Sequence, residues 1–167
     1  MDDRKYMQIA LEGARKALEQ GEFPVGCIVV CQGKVIADGR RINSRGDATN
    51  ETDHAEMNAL RSLTLQRAEL TAQKATLYCT MEPCLMCYGA ILLSGITRIV
   101  WAFEDAMGGG TACDLSRLTP LYRDAEIEIV PNVMRRKSLI LFQNFFQNPV
   151  NEYWKGSFLA DYTLDQK

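Results

Sequence analysis

The chain has 167 residues, 47% of them apolar and 24% charged, a composition typical of one folded domain able to bury a core. A net charge of −2, with a pI near 5.5, argues against a broad cationic footprint for nucleic acid. No stretch stays apolar for the roughly eighteen residues a membrane span needs. Met1-Asp2-Asp3-Arg4-Lys5 is also unlike a secretory leader, so no membrane association and a cytoplasmic location are expected. In that compartment the six cysteines read as thiols or metal ligands and not as a disulfide framework.

Apolar residues at Tyr6, Ile9, Ala10, Ala14, Ala17 and Leu18 recur at helical spacing, which predicts an amphipathic helix from Asp2 to Gln20. Gly21 and Pro24 mark its end. Two valine-bearing runs, Pro24 to Cys31 and Lys34 to Asp38, flank Gln32-Gly33 and read as an antiparallel hairpin. Arg40 to Asp53, with Asn43, Gly46, Asp47 and Asn50, is polar and aperiodic, a long loop of the kind that often carries function. A helix is expected from His54 to about Leu65, capped by Thr52 or Asp53, then a buried strand from Lys74 to Thr80.

Pro83 suits the first position of another helix, which ends near Ser94-Gly95. A strand from Thr97 to Phe103, a glycine-rich loop from Glu104 to Cys113 and a short helix from Asp114 follow. Glu126 to Val130 is a last strand and Met134 to Phe146 a helix. Residues 147–167 form an aromatic-rich tail with Tyr153, Trp154, Phe158 and Tyr162. Strands alternating with helices after an opening hairpin predict an α/β protein, a three-layer α/β/α sandwich over one mixed sheet, with residues 1–167 as a single domain.

The chemistry concentrates in two short pieces, His54-Ala55-Glu56 and Pro83-Cys84-Leu85-Met86-Cys87. Cys84 and Cys87 are spaced i, i+3, so one helical face presents both sulfurs. At a helix start the dipole and free N–H groups favour thiolate over thiol. His54, the only histidine, supplies a third ligand from another helix. Three such ligands suit tetrahedral zinc with the fourth corner open to water. Glu56 is not needed as a ligand. It lies about 200° around the helix from His54, yet in the first turn it can reach the open corner and carry protons. Taken alone, C-x-x-C also fits a redox pair or half of a structural zinc site, but neither uses Glu56. Cys27, Cys31 and Cys79 sit in apolar strands and read as buried small hydrophobes. Cys113 is the remaining candidate for an extra ligand.

The order H-x-E…P-C-x-x-C is that of zinc-dependent nucleobase deaminases. With Phe23-Pro24-Val25-Gly26, Thr76-Leu77-Tyr78-Cys79-Thr80 and the run Met81 to Ala90, the chain resembles the cytidine deaminase superfamily from about Tyr6 to Phe146. Within it, the similarity is to the branch of bacterial tRNA adenosine deaminases, guanine deaminases and cytosine deaminases. The resemblance implies a five-stranded sheet between helices, a homodimer, one zinc ion per subunit on His54, Cys84 and Cys87, and Glu56 as the proton shuttle. It also implies contacts to the base from Asn43, which stands eleven residues before His54, and from Asp105 in the glycine-rich loop. Phe23, Glu82 and Trp154 complete the expected substrate-binding set, and backbone groups of Glu82 and Cys84 are expected at the reacting atoms.

Two features depart from that pattern. Asn50-Glu51-Thr52-Asp53 replaces the usual Asp-Pro-Thr-Ala before the histidine, and the tail lacks the basic helix of the tRNA enzymes. Both are unfavourable for a phosphate-bearing polymer. The expectation is therefore a hydrolytic deaminase of a small aminated purine base or nucleoside, of guanine, guanosine or adenine type, with the aromatic tail covering an active site. A tRNA wobble adenosine deaminase is the alternative, and a non-catalytic zinc-stabilised interaction module a more distant one.

Overall fold

The computed structural model describes residues 2–46 and 49–167. Met1 and the loop position Asp47 of the sequence reading lie outside the described residues. Helix α1 (Asp3–Glu19) leads into the hairpin of β1 (Gly26–Cys31) and β2 (Lys34–Arg40). Gln32 and Gly33 both take positive φ, 49° and 76°, the two-residue turn geometry whose twist matches the flanking strands. After the 41–54 loop come α2 (Ala55–Arg61), α3 (Arg67–Ala72), β3 (Thr76–Met81), α4 (Leu85–Ser94) and β4 (Arg98–Phe103). A 3-10 turn (Leu115–Arg117), α5 (Pro120–Arg123), β5 (Glu128–Val130), α6 (Arg135–Gln147) and α7 (Phe158–Asp165) complete the chain.

The strands form one sheet in the order β2-β1-β3-β4-β5. The first three pair antiparallel, and β3-β4 and β4-β5 pair parallel. Helices cover both faces, which explains why β1 and β3 are buried at every position and read as continuous apolar runs. The strand alternation divides the core. Ile28, Val30, Tyr78, Val100 and Ala102 pack with Tyr6, Met7 and Ala10 of α1. Cys27, Val29, Leu77, Cys79, Ile99 and Phe103 point the other way, toward Ala55 and Ala59 of α2, Leu70 of α3 and Ile91 of α4. Asp3 ties α1 to the sheet, accepting two bonds from Arg98 (2.8 and 3.0 Å) and one from the Tyr78 hydroxyl (2.8 Å).

Several local expectations are corrected. The helix expected from His54 to Leu65 is shorter, since α2 stops at Arg61, and a turn through 62–66 leads into α3, a helix the sequence did not announce. A capping box between Gln66 and Glu69 starts α3, and glutamine at the cap gave a weaker sequence signal than serine or aspartate would. Neither Thr52 nor Asp53 caps α2. His54 does, with no side-chain capping bond. Pro83 lies before α4 and not inside it, since Cys84 is extended (φ −67°, ψ 169°) and takes the N-cap position. The tail is partly helical: Ser157 accepts the Ala160 N–H and opens α7, whose Leu159, Ala160 and Thr163 are buried. Among the described residues no helix is long and apolar enough to cross a membrane.

Candidate metal centre and active site

Two helix starts meet at the end of β3. His54 is the N-cap of α2 and Cys84 the N-cap of α4. Neither side chain is spent on capping its own helix, so both are free to turn toward each other. His54 Nδ1 lies 3.5 Å from Cys84 Sγ and 3.5 Å from Cys87 Sγ, and all three atoms fall within 4.8 Å of one another. A nitrogen and a sulfur bound tetrahedrally to one zinc ion sit about 3.5 Å apart, from bond lengths of about 2.0 and 2.3 Å. The trio therefore fits zinc without rearrangement. The protonation chemistry agrees. Contact with the Cys87 thiol, and then with His54, pulls Cys84 down to about 4, while the neighbouring thiolate pushes Cys87 up. One thiolate forms readily, and a cation is what lets the second one form. His54 is raised, chiefly by its bond to Cys84.

Glu56 follows in the first turn of α2 and is 3% exposed. Burial raises its carboxyl above the ordinary value. The close approach of α2 to the sheet sets its position, because a Cβ on Gly39 of β2 would come within 2.2 Å of the Ala55 carbonyl oxygen. Under Glu56, Cys27 and Cys79 face each other across β1 and β3, and burial pushes both thiols up. They are inert packing groups, as their strand positions suggested. Cys113 packs on the core and is not part of the metal trio.

These groups open on a cavity of about 360 Å³, a size usual for small-ligand sites. Phe23, Glu82, Asp105 and Trp154 line it together with His54, Glu56 and Cys84. Glu82 is held in place: its carboxylate accepts the Thr111 N–H (3.3 Å) and a short bond from the Thr111 hydroxyl. Its backbone N–H donates to the Phe103 carbonyl (2.7 Å) and is therefore not offered to a substrate. Asp105 accepts the N–H groups of Met107 (3.1 Å) and Gly108 (2.8 Å), so it both shapes the turn and lines the cavity. Burial raises its carboxyl. The glycine run exists for contact. A Cβ on Gly110 would lie 2.5 Å from the Leu85 nitrogen, against the loop that carries Cys84.

Asn43, expected at the base, stands back from the cavity wall. Its backbone is left-handed (φ 54°), its amide donates to Asp53 Oδ2 (2.7 Å), and it does not line the cavity. Among the lining residues that escaped the sequence reading are Arg41, Tyr153 as a wall residue, and Met107. Arg41 looked like one more polar residue of a loop, with no periodicity to mark it. It is 2% exposed. In the tail, α7 packs on the core, and Tyr153 and Trp154 line the cavity of their own chain.

Residues 1–103 match the family described as the cytidine and deoxycytidylate deaminase zinc-binding region. The chain belongs to that family. Among its relatives, the tRNA-specific adenosine deaminase of Bacillus subtilis is 32% identical over 145 residues, covering 87% of this chain and 89% of the relative. The tRNA-specific adenosine deaminase of Buchnera aphidicola is 36% identical over 152 residues, covering 87% and 95%. Among solved structures, a tRNA wobble-position A-to-I deaminase superposes with a TM-score of 0.61 at 28% identity, covering 78% of this chain and 99% of the other. A variant of the protein NE0047 in complex with 8-azaguanine superposes with a TM-score of 0.68 at 22% identity, covering 87% and 84%, a likeness of fold. As a member of this deaminase family the chain is a hydrolase acting on C–N bonds, and His54, Cys84 and Cys87 are the residues able to hold its zinc.

Proposed function

We propose that this deaminase hydrolyses the exocyclic amine of an adenine base carried in a tRNA. The observation that supports this substrate is similarity to tRNA-specific adenosine deaminases along 87% of the chain. It is preferred here to the free purine that the acidic residues before His54 and the aromatic tail favour. Zinc, held by His54, Cys84 and Cys87, supplies Lewis-acid activation of a water molecule. Glu56 then does the proton work. Its buried carboxylate takes one proton as a water oxygen adds to the amidine carbon and passes it to the ring nitrogen; it then takes the remaining proton of the new hydroxyl and delivers it to the amine as the C–N bond breaks. Water is consumed, ammonia leaves, and an oxo group replaces the amine. Phe23 and Trp154 offer aromatic faces for the base, and Glu82 and Asp105 are fixed acceptors on the wall.

A second reading, a free aminopurine base or nucleoside, is favoured by one feature: Tyr153 and Trp154 wall the cavity from a C-terminal segment that ends in helix α7. Zinc-loaded protein should convert adenosine to inosine in an anticodon stem-loop RNA, read by mass spectrometry of the digested product. Ammonia release from guanine, guanosine or adenine, with the RNA untouched, would replace the first reading with the second.

The whole chain is taken to act as one domain, its last twenty or so residues covering its own site. A homodimer is the expected assembly, because α4 leaves Leu85, Met86 and Leu93 exposed. Thiol ligands and six free cysteines suit a reducing cytoplasm.

A further inference from the structure

Arg41 is the only cationic side chain among the described residues that line the cavity, apart from the histidine of the metal trio. It is 2% exposed, so its charge is almost wholly removed from water. Its partners are few. Nη1 donates to the Asn50 carbonyl (2.7 Å), and Nη2 reaches the Tyr153 hydroxyl (3.2 Å) and Glu51 Oε2 (3.5 Å). The guanidinium carbon also lies 5.4 Å from the centre of the Tyr153 ring. Glu51 is a weak counter-ion, since its side chain is 56% exposed and it also accepts the Tyr153 hydroxyl (2.7 Å).

A guanidinium carries five N–H donors in a rigid plane, and these bonds engage three of them. Nε is buried with no hydrogen-bond partner among the described residues. Buried charges and buried donors without partners are costly, and at a binding cavity an acceptor on a ligand relieves that cost. The other charged wall residues, Glu51, Glu56, Glu82 and Asp105, are all acids. Arg41 alone on the wall can attract an electron-rich group.

We propose that Arg41 is a specificity-determining residue of this deaminase: its unpaired N–H donors bind an acceptor oxygen of the substrate, either an oxo group on the base or a phosphate oxygen beside it. The inference rests on the cavity being the base-binding site, and not on which amine is removed. The Tyr153 ring, over which the guanidinium lies, holds the fork at the angle the oxygen meets.

Dissociation constants are measured on zinc-loaded full-length protein in a Glu56→Gln background, so that the probes survive. The probes are guanine, which carries an oxo group, 2,6-diaminopurine and adenine, which do not, and AMP and an anticodon stem-loop RNA, which carry phosphate. Adding Arg41→Gln should weaken guanine by about 10- to 100-fold with the two oxo-free bases changed less than about threefold, if the oxygen is an oxo group. If it is a phosphate oxygen, AMP and the RNA weaken by that factor and all three free bases do not. Arg41→Lys, which keeps the charge and loses the fork, should give an intermediate loss and serves if the glutamine variant does not fold. Tyr153→Phe removes the hydroxyl and keeps the ring, and should leave the discrimination intact. Uniform change across all five probes, no change in any, or a Tyr153→Phe variant that reproduces the Arg41→Gln losses would overturn the proposal. Failure of the substrate reading is separate: it would appear as an anticodon stem-loop RNA left without inosine by the chain with Glu56 intact, whichever probes Arg41 discriminates.

Discussion

The closest backbone approach at the site lies behind it, where β2 meets α2, and it makes a sharp prediction for Gly39→Ala. The new methyl carbon would sit 2.2 Å from the Ala55 carbonyl oxygen and 2.5 Å from the Ala59 nitrogen, where carbon atoms essentially never come nearer than 3.0 Å. Both obstacles are backbone, so no rotamer change relieves them. Strand and helix must separate by about 1 Å, the kind of overpacking that costs about 1–3 kcal/mol. In a chain of this size that lowers the melting temperature by several degrees, at about 2–4 °C per kcal/mol. The helix that moves carries His54 and Glu56, and an error of about 1 Å at a reacting group costs about 100-fold in rate.

Gly26→Ala is the control. Its Cβ would meet Ala10 and Ala14 of α1 at the same 2.2 and 2.5 Å, but α1 carries no residue of the site. The two variants should melt alike, while only Gly39→Ala loses most of its kcat at full zinc occupancy. Melting curves, metal analysis and ammonia release from the established substrate test this together. A Gly39→Ala enzyme with unaltered kcat, or a Gly26→Ala enzyme equally impaired, would show that α2 placement does not control the chemistry as argued.

Glu56→Gln should lower kcat by about 100- to 10,000-fold, the usual worth of a general acid/base. Metal analysis should find its zinc content unchanged; loss of zinc would make the residue structural. Cys84→Ser should lose bound zinc and, because metal binding stabilises only the folded chain, should also lose the fall in melting temperature that a chelator causes in the parent protein. Asp3→Asn removes a charge that accepts two bonds from Arg98 and one from Tyr78, and should destabilise by about 1.5–3 kcal/mol at neutral pH. Arg98 holds the Asp3 carboxyl below its ordinary value. Its contribution is therefore complete above about 4 and is lost as pH falls through the depressed folded value. The gap between parent and Asp3→Asn melting temperatures should close in acid; a gap that widens would contradict the sign.

Much of the site was legible because its chemistry is local. Cys84 and Cys87 are three residues apart, Glu56 stands two from His54, and each piece begins a helix that burial pattern alone locates. The sheet was legible for a similar reason, since β1, β3 and β4 are long apolar runs and Gln32-Gly33 is a recognisable turn. The end of α2 at Arg61 and the existence of α3 were not, because a short helix started by a glutamine cap carries little periodicity. Asn43 shows what spacing leaves open: it stands eleven residues before His54, while its left-handed backbone and its bond to Asp53 are set by the folded loop.

By itself, the order of residues determined the reaction: zinc ligands, a carboxylate beside them, and hydrolytic loss of an amine. It also determined the layered α/β fold that brings those pieces to one end of β3. Only the tertiary structure decided what surrounds the reacting atoms. Arg41 and Tyr153 are 112 residues apart and meet at 3.2 Å through the folding back of the C-terminal segment. Whether an arginine is a solvated loop residue or a buried cavity wall depends on what packs over it, and nothing in its neighbours along the chain carries that information.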